Sequence, residues 1–138
     1  MSDLNNSYRH SVPIELRFAD LDAYGHVNNA TYFTLLETAR TKLLQDQFIE
    51  FMDQGLLFLV VKAECEYKKP MALKDSLIVS LEMVRVGNSS FDIEYELHND
   101  KGTTFARAKT VMVCYDGRAQ KPVRMPESFK QQIAPASI

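Results

Sequence analysis

Apolar side chains recur at helical spacing between Tyr32 and Leu44, and at every second position through most of the stretch from residue 57 to residue 115. Before the helical stretch, residues 12–18 set Ile14, Leu16 and Phe18 against Glu15 and Arg17, which predicts a half-buried first strand ending near Phe18. The segment from Asp20 to Asn29 carries Gly25 and two adjacent asparagines, and Tyr32, Phe33, Leu35, Leu36, Ala39, Leu43 and Leu44 then form a broad apolar stripe. Asn28 or Asn29 is the expected N-cap, because a short amide side chain accepts a bond from an orphan N–H of the first turn. The helix should begin near Ala30 and run to about Met52, where Gly55 stops it, a length of roughly 30 Å.

Four strands are expected after it. The first places Leu59, Val61, Ala63, Cys65 and Tyr67 on one face and Val60, Lys62, Glu64, Glu66 and Lys68 on the other, with Pro70 closing it. Leu77, Val79, Leu81 and Met83 alternate through the next, and Gly87-Asn88-Ser89-Ser90 provides the turn chemistry of a hairpin. Phe91, Ile93, Tyr95 and Leu97 against Asp92, Glu94, Glu96 and His98 give the cleanest alternation in the chain, followed by the turn Asn99-Asp100-Lys101-Gly102. The last strand, from about Thr103 to Tyr115, has one parity of small or neutral residues (Thr104, Ala106, Ala108, Thr110, Met112, Cys114) that lets a helix lie close. Gly117 to Pro126 reads as a surface connection to a short polar tail helix within 127–138. The order predicts an α+β fold, an antiparallel sheet of about five strands wrapped on one long helix, as a single domain spanning 1–138.

Length and composition agree with that. A chain of 138 residues can bury about two-thirds of its surface, and 46% hydrophobic with 25% charged residues is ordinary globular usage. A formal net charge of -2 is too balanced for phosphate-driven nucleic-acid binding, so no nucleic-acid partner is expected. Cys65 and Cys114 stand apart inside apolar patterns, which fits a reduced, cytoplasmic setting, and neither a signal peptide nor a membrane span is expected. His10, His26 and His98 do not combine into a ligand set, and no metal is expected.

The candidate chemistry lies in the loop before the helix. Arg17-Phe18-Ala19-Asp20-Leu21-Asp22-Ala23-Tyr24-Gly25-His26-Val27-Asn28-Asn29 brings carboxylates to a glycine-containing loop at a helix start. First-turn amides point unpaired N–H groups outward where a developing oxyanion is stabilised, and a carboxylate beside them can attack a carbonyl or activate water. Asp22 is placed for that role; an aspartate here also serves as a turn former accepting its own loop amides. Asp20 is expected to fix the loop against Arg17.

The string Asp20-Leu21-Asp22-Ala23-Tyr24-Gly25-His26-Val27-Asn28-Asn29, followed by Tyr32, Glu37 and Arg40, resembles the signature of hotdog-fold acyl-CoA thioesterases of the 4-hydroxybenzoyl-CoA thioesterase-like group. The resemblance implies a curved sheet around a central helix, and hydrolysis of acyl-CoA to free acid and coenzyme A with no cofactor beyond the substrate's own coenzyme A. It also implies homo-oligomers, dimers or dimers of dimers, with the active site between subunits. The catalytic aspartate falls on Asp22 and the oxyanion donor near Asn29, while Gly25 lets the chain approach the substrate closely. Tyr24, His26 and Tyr32 are the expected substrate contacts, and Phe33 and Leu36 join Tyr32 as candidates for an acyl pocket.

The family's phosphate-binding turn falls on Arg85, Asn88, Ser89 and Ser90, where only Ser90 matches residue by residue. Glu37, three residues before Arg40, is expected either to pair with that arginine or to stand as a second candidate acid. Among the remaining basic residues, Lys62, Lys68, Lys69, Arg107 and Lys109, one or two near turns are candidates to meet phosphates. The alternative function is a non-catalytic protein that binds acyl-CoA or an acyl carrier protein; dehydration of hydroxyacyl thioesters is a third, for which the usual histidine-plus-acid arrangement is missing.

Overall fold

The computed structural model describes residues 10–134. In chain order the elements are β1 (His10–Ile14), α1 (Thr31–Met52), β2 (Leu56–Tyr67), β3 (Leu77–Val86), β4 (Ser90–His98), β5 (Thr104–Asp116), β6 (Lys121–Pro122) and α2 (Glu127–Ile133). The strands form a six-stranded antiparallel sheet ordered β1-β3-β4-β5-β2, with β6 beside β5. The sheet is curved and open, and its inner face meets α1, giving the expected α+β architecture.

The alternation in β3, β4 and β5 sorts the faces as expected. Leu77, Val79, Leu81, Met83, Phe91, Ile93, Tyr95, Leu97, Ala106, Ala108, Thr110, Met112 and Cys114 are all buried. α1 contributes Tyr32, Leu35, Leu36, Ala39, Leu44 and Phe51 from its inner side. Its start is held by Asn28, whose Oδ1 accepts the Ala30 N–H at 2.9 Å and whose carbonyl accepts the Thr31 N–H at 2.9 Å. Its end is set by Gly55 at φ +83, whose N–H bonds the Met52 carbonyl at 2.9 Å. Leu44, at φ -113 and ψ 18, kinks the helix in between.

Three expectations need correction. β1 ends at Ile14, and Phe18 is 81% exposed in a 3₁₀ turn over Phe18–Asp20, because the Asp20 carboxylate captures the Arg17 backbone and turns the chain. β2 does not keep one face throughout. The register passes from Val60↔Met112 to Lys62↔Val111, so Val61 is one residue extra and parity reverses there. Phe58 and Val60 therefore share the inner side with Ala63, Cys65 and Tyr67, whereas Val61 is 61% exposed.

The tail helix is real, but it is not merely polar. Phe129 and Ile133 of α2 are buried, and the Phe129 ring lies 4.5 Å from Phe58, 5.7 Å from Phe51 and 5.6 Å from Phe91. This aromatic cluster closes the end of the core where α1 terminates.

Candidate active site

The loop between β1 and α1 is built on Asp20. Its Oδ2 accepts the Arg17 N–H at 2.8 Å, and its Oδ1 accepts Arg17 Nη2 at 2.8 Å and Nε at 3.2 Å. The Asp20 carbonyl accepts the Asn28 N–H at 2.9 Å, tying both ends of the loop together. The bonds from Arg17 hold the Asp20 carboxyl below its ordinary range against the opposing effect of burial. A depressed folded-state pKa contributes stability above the unfolded value of about 3.9, and that contribution is lost as pH falls through the folded value. Asp20→Asn should therefore unfold about 1–2 kcal/mol more easily at pH 7, the range of charge-assisted bonds discounted for an exposed guanidinium. In urea titrations the gap from the wild-type protein should close as pH drops below about 4.

Asp22 follows on a turn of its own making. Its Oδ1 accepts the Tyr24 N–H at 2.8 Å and the His26 N–H at 3.2 Å, while its backbone N–H bonds the His26 carbonyl at 2.7 Å. Gly25, at φ +78, allows this tight reversal. Thus the turn-forming role is real, yet it uses one carboxylate oxygen. Oδ2 has no partner among the described residues, and Asp22 lines a cleft of about 210 Å³ together with His26, Val27, Asn29, Tyr32, Tyr67, Lys68, Lys69 and Pro70.

The start of α1 faces the same cleft. The N–H groups of Asn28, Ala30, Thr31, Tyr32 and Phe33 are all bonded. The N–H of Asn29 has no partner among the described residues, and Asn29 lines the cleft beside Asp22. A carboxylate with one unspent oxygen and a residue with an unpaired backbone donor thus line one cleft at a helix N-terminus, where such groups can act on a carbonyl whose oxygen is becoming negative.

Tyr67 was missed as a site residue. Its hydroxyl donates to the Asn29 carbonyl at 2.8 Å, and its ring meets Tyr32 edge-on at 4.9 Å, bracing the residue whose N–H is the free donor. Burial pushes the Tyr32 phenol up to about 12, so it remains neutral. Lys68 and Lys69 reach the cleft because their backbone N–H groups both bond the Phe105 carbonyl, at 2.8 and 3.1 Å, where β5 carries an extra residue. Lys68 pairs with Glu66 at 2.9 Å, and Lys69 has no side-chain partner among the described residues. Tyr24 and Gly25 do not line the cleft; they form the exposed turn beside Asp22, with Tyr24 85% exposed.

The remaining candidates do not join this group within one chain. Arg85, Asn88, Ser89 and Ser90 lie at the β3–β4 turn, at the end of the sheet where α1 finishes. Arg85 is engaged with Asp92 and Ser90, each at 2.8 Å, and Asn88 with Lys130 at 3.1 Å. Arg107 pairs with Glu96 at 3.5 Å and Lys109 with Asp92 at 3.6 Å on the outer face, and Lys62 with Glu64 at 3.7 Å. The expected Glu37–Arg40 pair does not form: Arg40 turns inward against Tyr95, leaving Glu37 exposed.

A serine–histidine contact elsewhere has the wrong polarity for catalysis. Ser80 Oγ lies 2.7 Å from His98 Nε2, but His98 Nδ1 accepts the Asp100 N–H at 3.1 Å. Nε2 then carries the ring proton and donates to the serine, so this imidazole cannot remove the serine proton.

The sequence matches the thioesterase-like superfamily over residues 16–133. It is 30% identical over 126 residues to the acyl-CoA thioester hydrolase YbgC of Escherichia coli, covering 86% of this chain and 94% of that protein. It is 29% identical over 123 residues to the long-chain acyl-CoA thioesterase FadM of Escherichia coli, covering 87% and 93%. A thioesterase from Thermus thermophilus, solved in complex with coenzyme A and zinc, superimposes with a TM-score of 0.76 at 32% identity, over 89% of this chain and 90% of that one. Among the described residues no helix is long and apolar enough to cross a membrane.

Proposed function

This chain belongs to the thioesterase-like superfamily, and we propose that it hydrolyses acyl-CoA thioesters with Asp22 as the acting carboxylate and the Asn29 N–H as oxyanion donor. The observation that carries this reading is the pair of unspent groups on one cleft, Asp22 Oδ2 and the Asn29 N–H. The thioester carbonyl oxygen takes the Asn29 donor, which grows stronger as charge moves onto it. Oδ2 then acts by either of two balanced routes. It attacks the carbonyl carbon and expels the thiolate, leaving an anhydride that water hydrolyses, or it takes a proton from a water that attacks in its place. Both routes end in free acid and thiol. His26 and Tyr32 flank the acyl group, Tyr24 and Gly25 border the entrance, and Lys69 is the free cation for a phosphate of the coenzyme A portion. Cys65 and Cys114 as free thiols suit the cytoplasm as the place of action.

The edge of β2 supports assembly into a homo-oligomer. It is a 12-residue strand at the end of the sheet, with Leu59, Val60, Val61 and Tyr67 each at least 40% exposed, the kind of edge that pairs with a second copy. Antiparallel pairing of two such edges puts the Leu56 end of one copy beside the Tyr67 end of the other. The turn carrying Arg85, Asn88, Ser89 and Ser90 then lies on the side of its neighbour's cleft. Sedimentation should show a dimer or a dimer of dimers, and Val61→Pro, which kinks the edge and removes an N–H, should dissociate it. A monomeric wild-type protein would overturn this assembly.

The activity itself is tested by thiol release from short, medium, long and aromatic acyl-CoAs. Turnover of at least one class is expected. Tight binding without thiol release on any of them would make the protein an acyl-thioester binder instead.

A further inference from the structure

Arg40 is a buried cation without a counter-ion. It is 8% exposed, sits on the inner side of α1 and pairs with no carboxylate among the described residues. Its neighbour is Tyr95, fully buried, whose hydroxyl is 2.7 Å from Thr110 Oγ1. The Tyr95 hydroxyl is its polar contact, and no carboxylate among the described residues offsets the desolvation of its charge, so N–H donors remain for an acceptor in the cavity that Arg40 lines.

Arg40 opens onto a second cavity of about 280 Å³ in the seam between α1 and β2. Phe33, Leu36, Val60 and Ala63 make its walls apolar, Arg40 and Thr110 supply polar groups deeper in, and Glu37 contributes a carboxylate. The catalytic cleft occupies the preceding stretch of the same seam: Tyr32 lies one helical turn before Leu36, and Tyr67 lies four residues beyond Ala63 on the same side of β2. Arg40 is ten residues past Ala30, about 15 Å along the axis, and helical side chains lean back toward the N-terminus, so its guanidinium stands on the order of 10 Å from the start of α1.

Building on the hydrolase reading above, we propose that this cavity receives the far part of the acyl group and that Arg40 recognises an oxygen acceptor carried there. The preferred substrates are acyl thioesters of medium length, apolar along the stem, with an oxygen about seven or eight single bonds from the thioester carbon. A plain hydrocarbon chain of the same length displaces water from the guanidinium and leaves it only its Tyr95 contact, which selects against that chain. A neutral oxygen and a carboxylate share this recognition. The Glu37 carboxylate in the same cavity disfavours the second, and the two are separated by test compounds of both kinds.

The test compares kcat/KM for matched acyl-CoAs ending in methyl, hydroxyl, ketone and carboxylate, in the wild-type protein, Arg40→Met and Arg40→Lys. At least tenfold preference for one oxygenated class over the methyl chain is expected in the wild-type protein. That ratio should fall toward one in Arg40→Met and be partly restored in Arg40→Lys. Calorimetry with the corresponding free acids reads the same contact without turnover, so loss of hydrolysis on every thioester would sink the activity and leave this inference separately testable. Equal rates for plain and oxygenated chains, an unchanged ratio in Arg40→Met, or equal binding of plain and oxygenated acids would overturn it. So would a carboxylate of a neighbouring copy found seated on Arg40 in the assembled protein.

Discussion

Replacing Asp22 by asparagine should lower kcat for acyl-CoA hydrolysis by about 10²- to 10⁴-fold, the range associated with a positioned acid–base group. The amide makes this substitution informative. Its oxygen can still accept the Tyr24 and His26 N–H groups that Asp22 Oδ1 now holds at 2.8 and 3.2 Å, so the loop keeps its turn. What disappears is the charge on the second oxygen. KM should change little and the melting temperature should stay near that of the wild-type protein, because the lost interaction is made with the transition state. Asp22→Ala removes the turn acceptor as well, so it should match the asparagine variant in kcat and melt lower. If Asp22→Asn retained most of the wild-type kcat across the acyl-CoA panel, Glu37 would become the acid to examine.

The second large effect concerns the far end of the molecule. Phe129→Ala should destabilise the protein by about 3–5 kcal/mol, the cost of truncating a buried aromatic. For a chain of this length that is a drop in melting temperature on the order of 10 °C. Phe129 touches Phe51 from α1, Phe58 from β2 and Phe91 from β4, so three elements lose a shared packing partner at once. The site lies at the opposite end of α1, a 22-residue helix about 33 Å long. Folded Phe129→Ala protein at low temperature should therefore hydrolyse its substrates at close to the wild-type rate. Melting within 2 °C of the wild-type protein would show that α2 is a peripheral appendage after all.

How far each feature could be read in advance depends on whether its cause is local. α1 was legible at both ends because Asn28 and Gly55 act on their own neighbours. β3, β4 and the inner parity of β5 were legible because one face is buried and the other wet. In β2 the unbroken run of Leu59, Val61, Ala63, Cys65 and Tyr67 conceals the extra residue, since a bulge leaves no mark when the inserted side chain is as apolar as those around it. Phe129 and Ile133 are four residues apart in a polar segment, a signal too short to separate a docked helix from a solvated one. Arg40 stands at ion-pair spacing from Glu37, and only the packing of α1 on Tyr95 turns it inward.

The site divides along the same line. The loop-fixing bonds of Asp20 and the turn-forming bonds of Asp22 could be anticipated because their partners are within four residues. The free N–H of Asn29 could be singled out only once its neighbours' bonds were known. Tyr67 ends β2 and Lys69 follows it, far along the chain from the loop; Lys69 is only one of five basic candidates for a phosphate, and no local pattern marks Tyr67. The turn at Arg85, Asn88, Ser89 and Ser90 was included by resemblance, and within one chain it sits at the other end of the sheet.

The most direct measurement is a structure of the assembled protein with a non-hydrolysable acyl-CoA analogue in which a methylene ketone replaces the thioester. The account predicts the ketone oxygen on the Asn29 N–H at about 2.7–3.1 Å and the carbonyl carbon in the reach of Asp22 Oδ2, at about 3–3.5 Å directly or through a single water. An analogue bound with its carbonyl away from α1's first turn, or with the Asp22 carboxylate facing bulk solvent, would contradict it.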